Sequence, residues 1–158
     1  MSTQAEKSIR IFIAGIMQGS FIDKKMHTQD YRTRLKHFLE SHYPEADVYD
    51  PLANHTQSVE YAPEKGKEVF LFHNYLCREV DVLIAFVPEA SMGTAIEMWE
   101  AWQNGGKVIT ISPMKKNWAI RFLSHHLFET LEDFETAIQT GKVTLNPKKS
   151  PSFFASEK

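Results

Sequence analysis

The chain has little that would cross-link it covalently or hold it in a membrane. Cys77 is the only cysteine among the 158 residues, so no disulfide can form within the chain, and we expect a reducing, cytoplasmic location. No apolar run approaches the roughly 20 residues of a membrane helix, so no membrane partner is expected. With 42% apolar and 24% charged residues, the composition is typical of a folded globular domain.

The chain also lacks a strong charge of either sign and the usual metal-binding motifs. The net charge is −2 and no block of lysine and arginine stands out, which argues against polymeric nucleic acid as a partner. Seven histidines are present, but there is no His-Glu-x-x-His motif and no cysteine cluster. On a helix, the adjacent His125 and His126 would point about 100° apart. We therefore expect no metal and no other cofactor.

Strand-like and helix-like segments alternate along the chain. Apolar, β-branched runs predict strands at 9–14, 48–51, 81–87, 107–112 and 127–129. Amphipathic periods and capping residues predict helices at 30–43, 64–80, 93–103, 117–123 and 130–141. Residues 52–63 show no period and are interpreted as a loop. Residues 11–17 follow basic residues as in a signal peptide, but their β-branched start indicates the first strand.

This alternation, with short connections, predicts a three-layer α/β sandwich. We expect a flavodoxin- or Rossmann-like parallel sheet of about five strands with flanking helices. The boundaries predicted for it are one domain at 8–141 and a C-terminal tail at 142–158.

The segment VLIAFVPEASMGTAIE at 82–97 is the most informative part of the chain. A buried strand runs into a turn of small residues, a helix then opens, and Glu97 lies about one turn inside it. Ser91, Gly93 and Thr94 surround the free N–H groups of the helix start, which favours a cradle for an anion or a ribose. Glu97 is a candidate nucleophile or stabiliser of a sugar cation. The alternative is a helix-dipole partner on a solvated face.

A second candidate element follows the first strand, in the turn GIMQGS at 15–20. Gly15 lets the backbone approach a ligand, and Gln18 and Ser20 are the side chains that would contact a base or phosphate. The turn is neither a Walker loop nor a three-glycine dinucleotide motif, so a plain turn is the alternative.

Two further polar residues follow strands at the same predicted edge of the sheet. Asp50 ends the second strand and would bind a ribose hydroxyl or cap a turn. Asn117 follows two lysines after the fourth strand and would help attract a phosphate, or simply cap the next helix.

The chain resembles the nucleoside 2-deoxyribosyltransferase-like superfamily over about residues 8–125. The resemblance is carried by IFIAG at 11–15, VDVLIA at 80–85, and SMGTAIE at 91–97 followed by GKVI at 106–109. Transferases of this superfamily usually have Asp where Ser91 stands. A serine there is similar to the deoxynucleoside 5′-monophosphate N-glycosidase branch, in which a serine helps hold the 5′-phosphate. Serine donates to a phosphate dianion, which an aspartate would repel.

The resemblance implies a nucleotide-binding domain that cleaves the N-glycosidic bond of a (deoxy)nucleoside 5′-monophosphate, with Glu97 as nucleophile. Two positions differ from the family pattern: Phe12 stands where the family usually has Tyr, and His73 where it has an Asp that assists at the base. A histidine can supply a proton near neutral pH, so His73 is a second catalytic candidate; a packed histidine is the alternative.

Two other functions fit the sequence: a non-catalytic nucleotide-binding or sensor module, and a phosphoribohydrolase of the cytokinin-activating type. Trp99 and Trp102 lie on the apolar stripe of the third long helix and favour core or subunit contacts over base stacking. The superfamily commonly completes each site with residues of a neighbouring subunit. We therefore expect a homodimer or a higher homo-oligomer.

Overall fold

The computed structural model describes residues 8–19 and 26–149. It contains one sheet of five parallel strands in the order β2-β1-β3-β4-β5. The strands are β1 (Arg10–Gly15), β2 (Asp47–Tyr49), β3 (Val82–Phe86), β4 (Lys107–Ile111) and β5 (His126–Phe128). The helices are α1 (Asp30–His42), α2 (Pro51–Asn54), α3 (Pro63–Glu79), α4 (Met92–Gln103), α5 (Trp118–Leu123) and α6 (Leu131–Gln139), with a 3₁₀ turn at Ser58–Glu60. The predicted three-layer α/β fold is confirmed.

The two faces of the sheet bury alternate residues of the central strands, as a parallel sheet covered on both sides requires. Ile11 and Ile13 of β1 face a core that includes residues of α1 and α6. Phe12 and Ala14 face a second core, which includes residues of α3, α4 and α5. The strand residues in both cores are apolar, which is why the strand positions could be predicted from the sequence.

The prediction of a loop at 52–63 is wrong in part, because this segment contains most of α2 and the 3₁₀ turn. Asp50 starts α2 by accepting a 3.0 Å hydrogen bond from the Leu52 N–H, and Pro51 occupies the first helical position. Elements of three or four residues are too short to show a hydrophobic period, so the sequence pattern could not detect them.

The apolar stripes predicted for two helices are shifted in the structure. The helical spacing of Val69, Phe72, Leu76 and Val80 predicts one apolar stripe for α3. In the structure Phe72 is 50% exposed, whereas His73 and Cys77 are buried. On α4, Trp99 and Trp102 are 47% and 41% exposed, so they are not core residues. The positions that face the sheet are therefore partly small or polar, and large aromatic rings are left on the outer surface.

The described part of the predicted tail, residues 142–149, lies against the domain. Val143 and Leu145 are buried beside α6 and the sheet. The Lys148 N–H donates to the buried Asp81 carboxylate at 3.0 Å. Phe153 and Phe154 lie outside the described residues. Among the described helices, none combines the length and the apolar character needed to cross a bilayer.

Candidate active site

A cavity of about 560 Å³ lies at the carboxyl ends of β1 and β3. The sheet order reverses there, because β2 lies on one side of β1 and β3 on the other. In open α/β sheets, ligands bind outside the strand ends at such a switch point. A larger depression of about 760 Å³, between α1 and Glu135 of α6, has no strand end in its lining. The first cavity is therefore the candidate site. Its lining includes Gly15, Gln18, His55, Tyr61, His73, Ser91, Gly93, Thr94 and Glu97.

Glu97 contributes the cavity's carboxyl group. It lies just past the first turn of α4, as the sequence predicted, and is only partly exposed. Burial raises the pKa of this carboxyl from 4.5 to about 7, while the nearby positive charge of Arg32 opposes the rise. Glu97 therefore changes charge near neutral pH.

The start of α4 forms the polar wall of the cavity. Ser91 caps the helix: its Oγ accepts a hydrogen bond from the Thr94 N–H at 3.4 Å and lies 2.9 Å from Thr94 Oγ1. A Cβ added at Gly93 would meet no atom within 4 Å, so the backbone there borders open space. The first N–H groups of a helix have no intrahelical acceptor. The three predicted residues Ser91, Gly93 and Thr94 are thus brought together beside Glu97.

The glycine turn after β1 forms another part of the wall, with Gln18 exposed at the cavity. A Cβ at Gly15 would lie 2.2 Å from the Tyr31 hydroxyl, so this glycine makes room for a packed tyrosine. Gly19 has φ +57°, a conformation that glycine adopts readily. Ser20 lies outside the described residues.

Arg32 is a buried cation that the sequence analysis missed. It is 2% exposed, and its guanidinium donates to the carbonyls of Ile13 at 3.0 Å and Gly15 at 3.1 Å. It also donates to Gln29 Oε1 at 2.7 Å and to Asp50 Oδ1 at 3.3 Å. The sequence contains one indication that Arg32 is buried: it precedes Leu35, a buried residue of α1, by three positions and therefore lies on the same side of the helix. The charge of Arg32 stabilises ionised Glu97 from behind the cavity.

His73 lies in the cavity wall within a group of aromatic rings. Burial, the neighbouring His55 and the charge of Arg32 lower the pKa of His73 to about 4. Its Nε2 lies 3.1 Å from the hydroxyl of Tyr49. His73 is therefore neutral at pH 7. This state does not fit the predicted role of a general acid, which would have to begin the reaction as a protonated imidazolium.

Phe12, which lacks the hydroxyl of the family's tyrosine, is fully buried. It is the register partner of Tyr49 on β2, and the two rings stack with centroids 5.6 Å apart. Tyr49 of β2 thus places a hydroxyl group next to Phe12, and this hydroxyl contacts His73. His55 and Tyr61, whose side chains pair at 3.0 Å, also line the cavity and were missed.

Asp50 and Asn117 do not line the cavity. Asp50 is buried, where it caps α2 and pairs with Arg32. Asn117 caps α5 by accepting from the Ile120 N–H at 3.2 Å. The neighbouring Lys115 pairs with Glu129 at 2.7 Å. Both candidates thus have the capping role that the sequence analysis kept as an alternative. Across residues 8–19 and 26–149, no group of three or more His, Cys, Asp or Glu side chains is arranged to hold a metal.

No protein-family model matches the sequence, and no curated protein matches it. Solved structures do match. A 2-deoxyribosyltransferase from Bacillus psychrosaccharolyticus has a TM-score of 0.62 and 20% identity, over 89% of this chain and 99% of that one. A conserved protein from Enterococcus faecalis V583 has a TM-score of 0.57 and 17% identity, over 85% and 99% of the two chains. The CMP N-glycosidase BcmB from Clostridium botulinum has a TM-score of 0.52 and 20% identity, over 84% and 98%.

These likenesses extend over most of both chains at low identity, so they concern the fold. The fold that the resemblance implies is therefore confirmed: the chain shares its fold with a 2-deoxyribosyltransferase and with a CMP N-glycosidase.

Proposed function

We propose that the protein cleaves the N-glycosidic bond of a (deoxy)nucleoside 5′-monophosphate, with Glu97 as the nucleophile. The observation that carries the proposal is the position of Glu97: a desolvated carboxyl in a cavity at the sheet's switch point, beside the start of α4. The fold shared with a 2-deoxyribosyltransferase and a CMP N-glycosidase supports this chemistry.

In the proposed reaction, the ionised carboxylate of Glu97 attacks C1′ of the sugar while the bond from C1′ to the base nitrogen breaks. The base leaves with the electron pair of that bond, and a glycosyl-enzyme ester forms. Water, or a second base in a transfer reaction, then attacks C1′, gives up a proton that the departed base anion takes up, and releases the carboxylate of Glu97. The positive charge that develops on the sugar favours ionised Glu97, and so does Arg32.

The start of α4 is the proposed phosphate site. Ser91 Oγ accepts from the Thr94 N–H, so its own hydrogen is available for a phosphate oxygen when Thr94 Oγ1 donates to it. The N–H groups of Met92 and Gly93 and the positive end of the helix dipole add to the attraction. Gln18 also lines the cavity and would contact a base or the phosphate from the glycine turn.

The test uses chromatography to measure the release of free base from a panel of ribo- and deoxyribonucleoside 5′-monophosphates. We expect Glu97→Ala to abolish release. Glu100→Gln is the matched control, because Glu100 lies on the same helix but pairs with Arg78 at 2.7 Å. Release that persists at the wild-type rate in Glu97→Ala would overturn the assignment.

The same panel separates the alternatives. Turnover of ribonucleotides alone would indicate a phosphoribohydrolase. A nucleotide that raises the melting temperature without any base release would indicate a binding module. The neutral state of His73 is the observation that favours this second function.

We also propose a homo-oligomer that uses the outer surface of α3 and α4. Phe72 and Tyr75 are 50% and 59% exposed, and Trp99 and Trp102 stack on each other at the surface. Exposed aromatic groups of this size are typical of subunit contacts. We expect Trp102→Glu to reduce the mass measured by light scattering. The single cysteine, buried in α3, fits a cytoplasmic location.

A further inference from the structure

The glycine turn after β1 has its carbonyl oxygens held from one side, by residues 27–32 at and just before the start of α1. The Arg32 guanidinium donates to the Gly15 carbonyl at 3.1 Å. The His27 N–H donates to the Met17 carbonyl at 2.6 Å. The peptide units at both ends of this stretch are therefore fixed by contacts on the side of α1.

Two side chains hold the carbonyl oxygen of Ile16, which lies between these two units. Gln29 Nε2 donates to it at 3.1 Å, and the Tyr31 hydroxyl donates to it at 3.2 Å. The orientation of the Gln29 amide follows from Arg32, whose Nε–H can only donate and lies 2.7 Å from Gln29 Oε1. Arg32 thus acts on the turn directly and also through Gln29.

Fixing these carbonyls also fixes the N–H groups of the turn. In a trans peptide unit the C=O of one residue and the N–H of the next point in opposite directions, and the described chain has no cis peptide bond. The first unit shows this directly, because the Ile16 N–H points away from α1 and donates to the Phe86 carbonyl of β3 at 3.1 Å. By the same geometry, the N–H groups of Met17 and Gln18 point away from the side of α1, and both residues line the cavity.

We propose that Gln29 and Arg32 are positioning residues that aim the N–H groups of Met17 and Gln18 into the cavity, where these groups donate to acceptor oxygens of the ligand. Two successive backbone N–H groups turned to one side form a concavity that attracts such oxygens. The donors belong to the backbone, so the requirement for particular side chains falls on the residues that hold the turn. That the ligand is a nucleotide rests on the proposed function, whereas the orientation of the turn does not.

A buried arginine can hold several acceptors at once, because its five N–H donors lie in one plane. Besides the turn and Gln29, the Arg32 guanidinium contacts the Ile13 carbonyl at 3.0 Å and Asp50 Oδ1 at 3.3 Å. Asp50 offsets the positive charge, and both contacts fix the plane of the guanidinium relative to β1. Lysine carries the same charge on a single nitrogen, so it cannot replace this set of contacts.

The orientation of the turn can be tested without any ligand, from ¹⁵N relaxation of the backbone amides. We expect the Met17 and Gln18 amides of the wild type to be as ordered as those of β1. In Gln29→Met, which keeps the length of the side chain but lacks its amide, the order of these two amides should fall while that of the strands stays the same. Gln29 is partly exposed, so this variant should fold. Equal order of the turn in wild type and variant would exclude Gln29 as a positioning residue.

The consequence for the ligand is measured from KM and kcat for base release. We expect Gln29→Met to raise KM roughly threefold to tenfold, the value of one hydrogen bond. The kcat should stay within about twofold of the wild type, because donors that bind substrate and transition state alike affect KM alone.

Asp30→Asn is the matched control for a loosened helix. Asp30 lies next to Gln29 in the first turn of α1, where its charge favours the helix, but it is exposed and lines the depression between α1 and α6 rather than the cavity. The control should lower stability without changing KM. A rise in KM of the same size in Asp30→Asn would show that a weakened helix start is the cause, and the proposal would be overturned.

Arg32→Lys separates the geometry of Arg32 from its charge. The variant should fold, because lysine can still pair with Asp50. We expect KM to rise as in Gln29→Met, since one ammonium cannot hold the turn and Gln29 together, while the pH midpoint of kcat stays the same because the charge near Glu97 is kept. An unchanged KM would exclude the guanidinium from positioning. If the wild type binds a nucleotide without cleaving it, Kd takes the place of KM; if it binds none, the proposed function fails, while the amide relaxation still decides whether residues 27–32 hold the turn.

Discussion

Replacing Glu97 by Gln should change the pH dependence of folding in a defined way. Burial raises the pKa of Glu97 from 4.5 to about 7, so between these values the native state binds a proton that the unfolded chain has lost. Stability therefore falls as pH rises through this range, by at most about 1.4 kcal/mol per pH unit. Glu97 is partly exposed at the cavity, and solvent screening reduces the effect. We therefore expect the free energy of unfolding to fall by about 2 kcal/mol in total over this pH range.

His73 acts in the opposite direction, which decides how the experiment must be designed. Its pKa is lowered from 6.5 to about 4, so between these values the unfolded chain holds a proton that the native state lacks. Stability from this group rises with pH up to about 6.5. The wild-type curve contains both effects, so only the difference between Glu97→Gln and wild type isolates the carboxyl group.

Melting temperatures at pH 5, 6, 7 and 8 provide the measurement. Glu97→Gln should match the wild type near pH 5 and be more stable at pH 8 by about 4–8 °C, as ~2 kcal/mol gives for a chain of this size. In Glu100→Gln the difference from wild type should stay constant over this range, because Arg78 holds the pKa of Glu100 below its usual value. A difference for Glu97→Gln that does not change from pH 5 to pH 8 would show that the carboxyl is solvated, and the reasoning would be refuted.

Three other substitutions separate structural from binding roles. Arg32→Met should cost about 3–5 kcal/mol in urea unfolding because it leaves Asp50 buried and unpaired, and adding Asp50→Asn should restore part of the loss; equal stability of single and double variants would contradict this. Asn117→Ala should cost about 1 kcal/mol through its cap while nucleotide affinity, measured by calorimetry, stays unchanged. Gly93→Ala meets no atom within 4 Å and should leave the melting temperature equal or higher, yet weaken nucleotide binding by filling the phosphate site.

The sheet and the start of α4 could be predicted because their signals are local. Strands that are buried on both faces read as nearly continuous apolar runs, as in VLIAF of β3. Likewise, Ser91, Gly93, Thr94 and Glu97 are separated by at most a few residues, so a correct helix start brings them together without any knowledge of the rest of the fold.

The remaining wall of the cavity could not be predicted, because it is assembled from segments that are distant in sequence. Arg32 reaches Asp50 across β1, and Tyr49 reaches His73 only because β2 lies beside β1. His55 belongs to a segment without a hydrophobic period. Phe12 illustrates the limit: the sequence indicates a missing hydroxyl, and only the parallel register of β1 and β2 shows that Tyr49 supplies one nearby.

Glu97 and His73 also decide the form of the pH–rate profile of the site. Burial moves the pKa of Glu97 up to about 7 and that of His73 down to about 4, so of these two groups only Glu97 changes charge above pH 5.5. A nucleophile must be ionised, whereas His73 is already neutral and does not change charge on the alkaline side. We therefore expect kcat to rise through a single ionisation near pH 7 and then to level off. The 5′-phosphate of the nucleotide also ionises, near pH 6. Because Glu97→Gln lacks the carboxyl group, the pH dependence of nucleotide binding to this variant measures the contribution of the phosphate alone. A bell-shaped profile with an alkaline limb would mean that a protonated group drives departure of the base, and His73 would then have to be reconsidered as an acid.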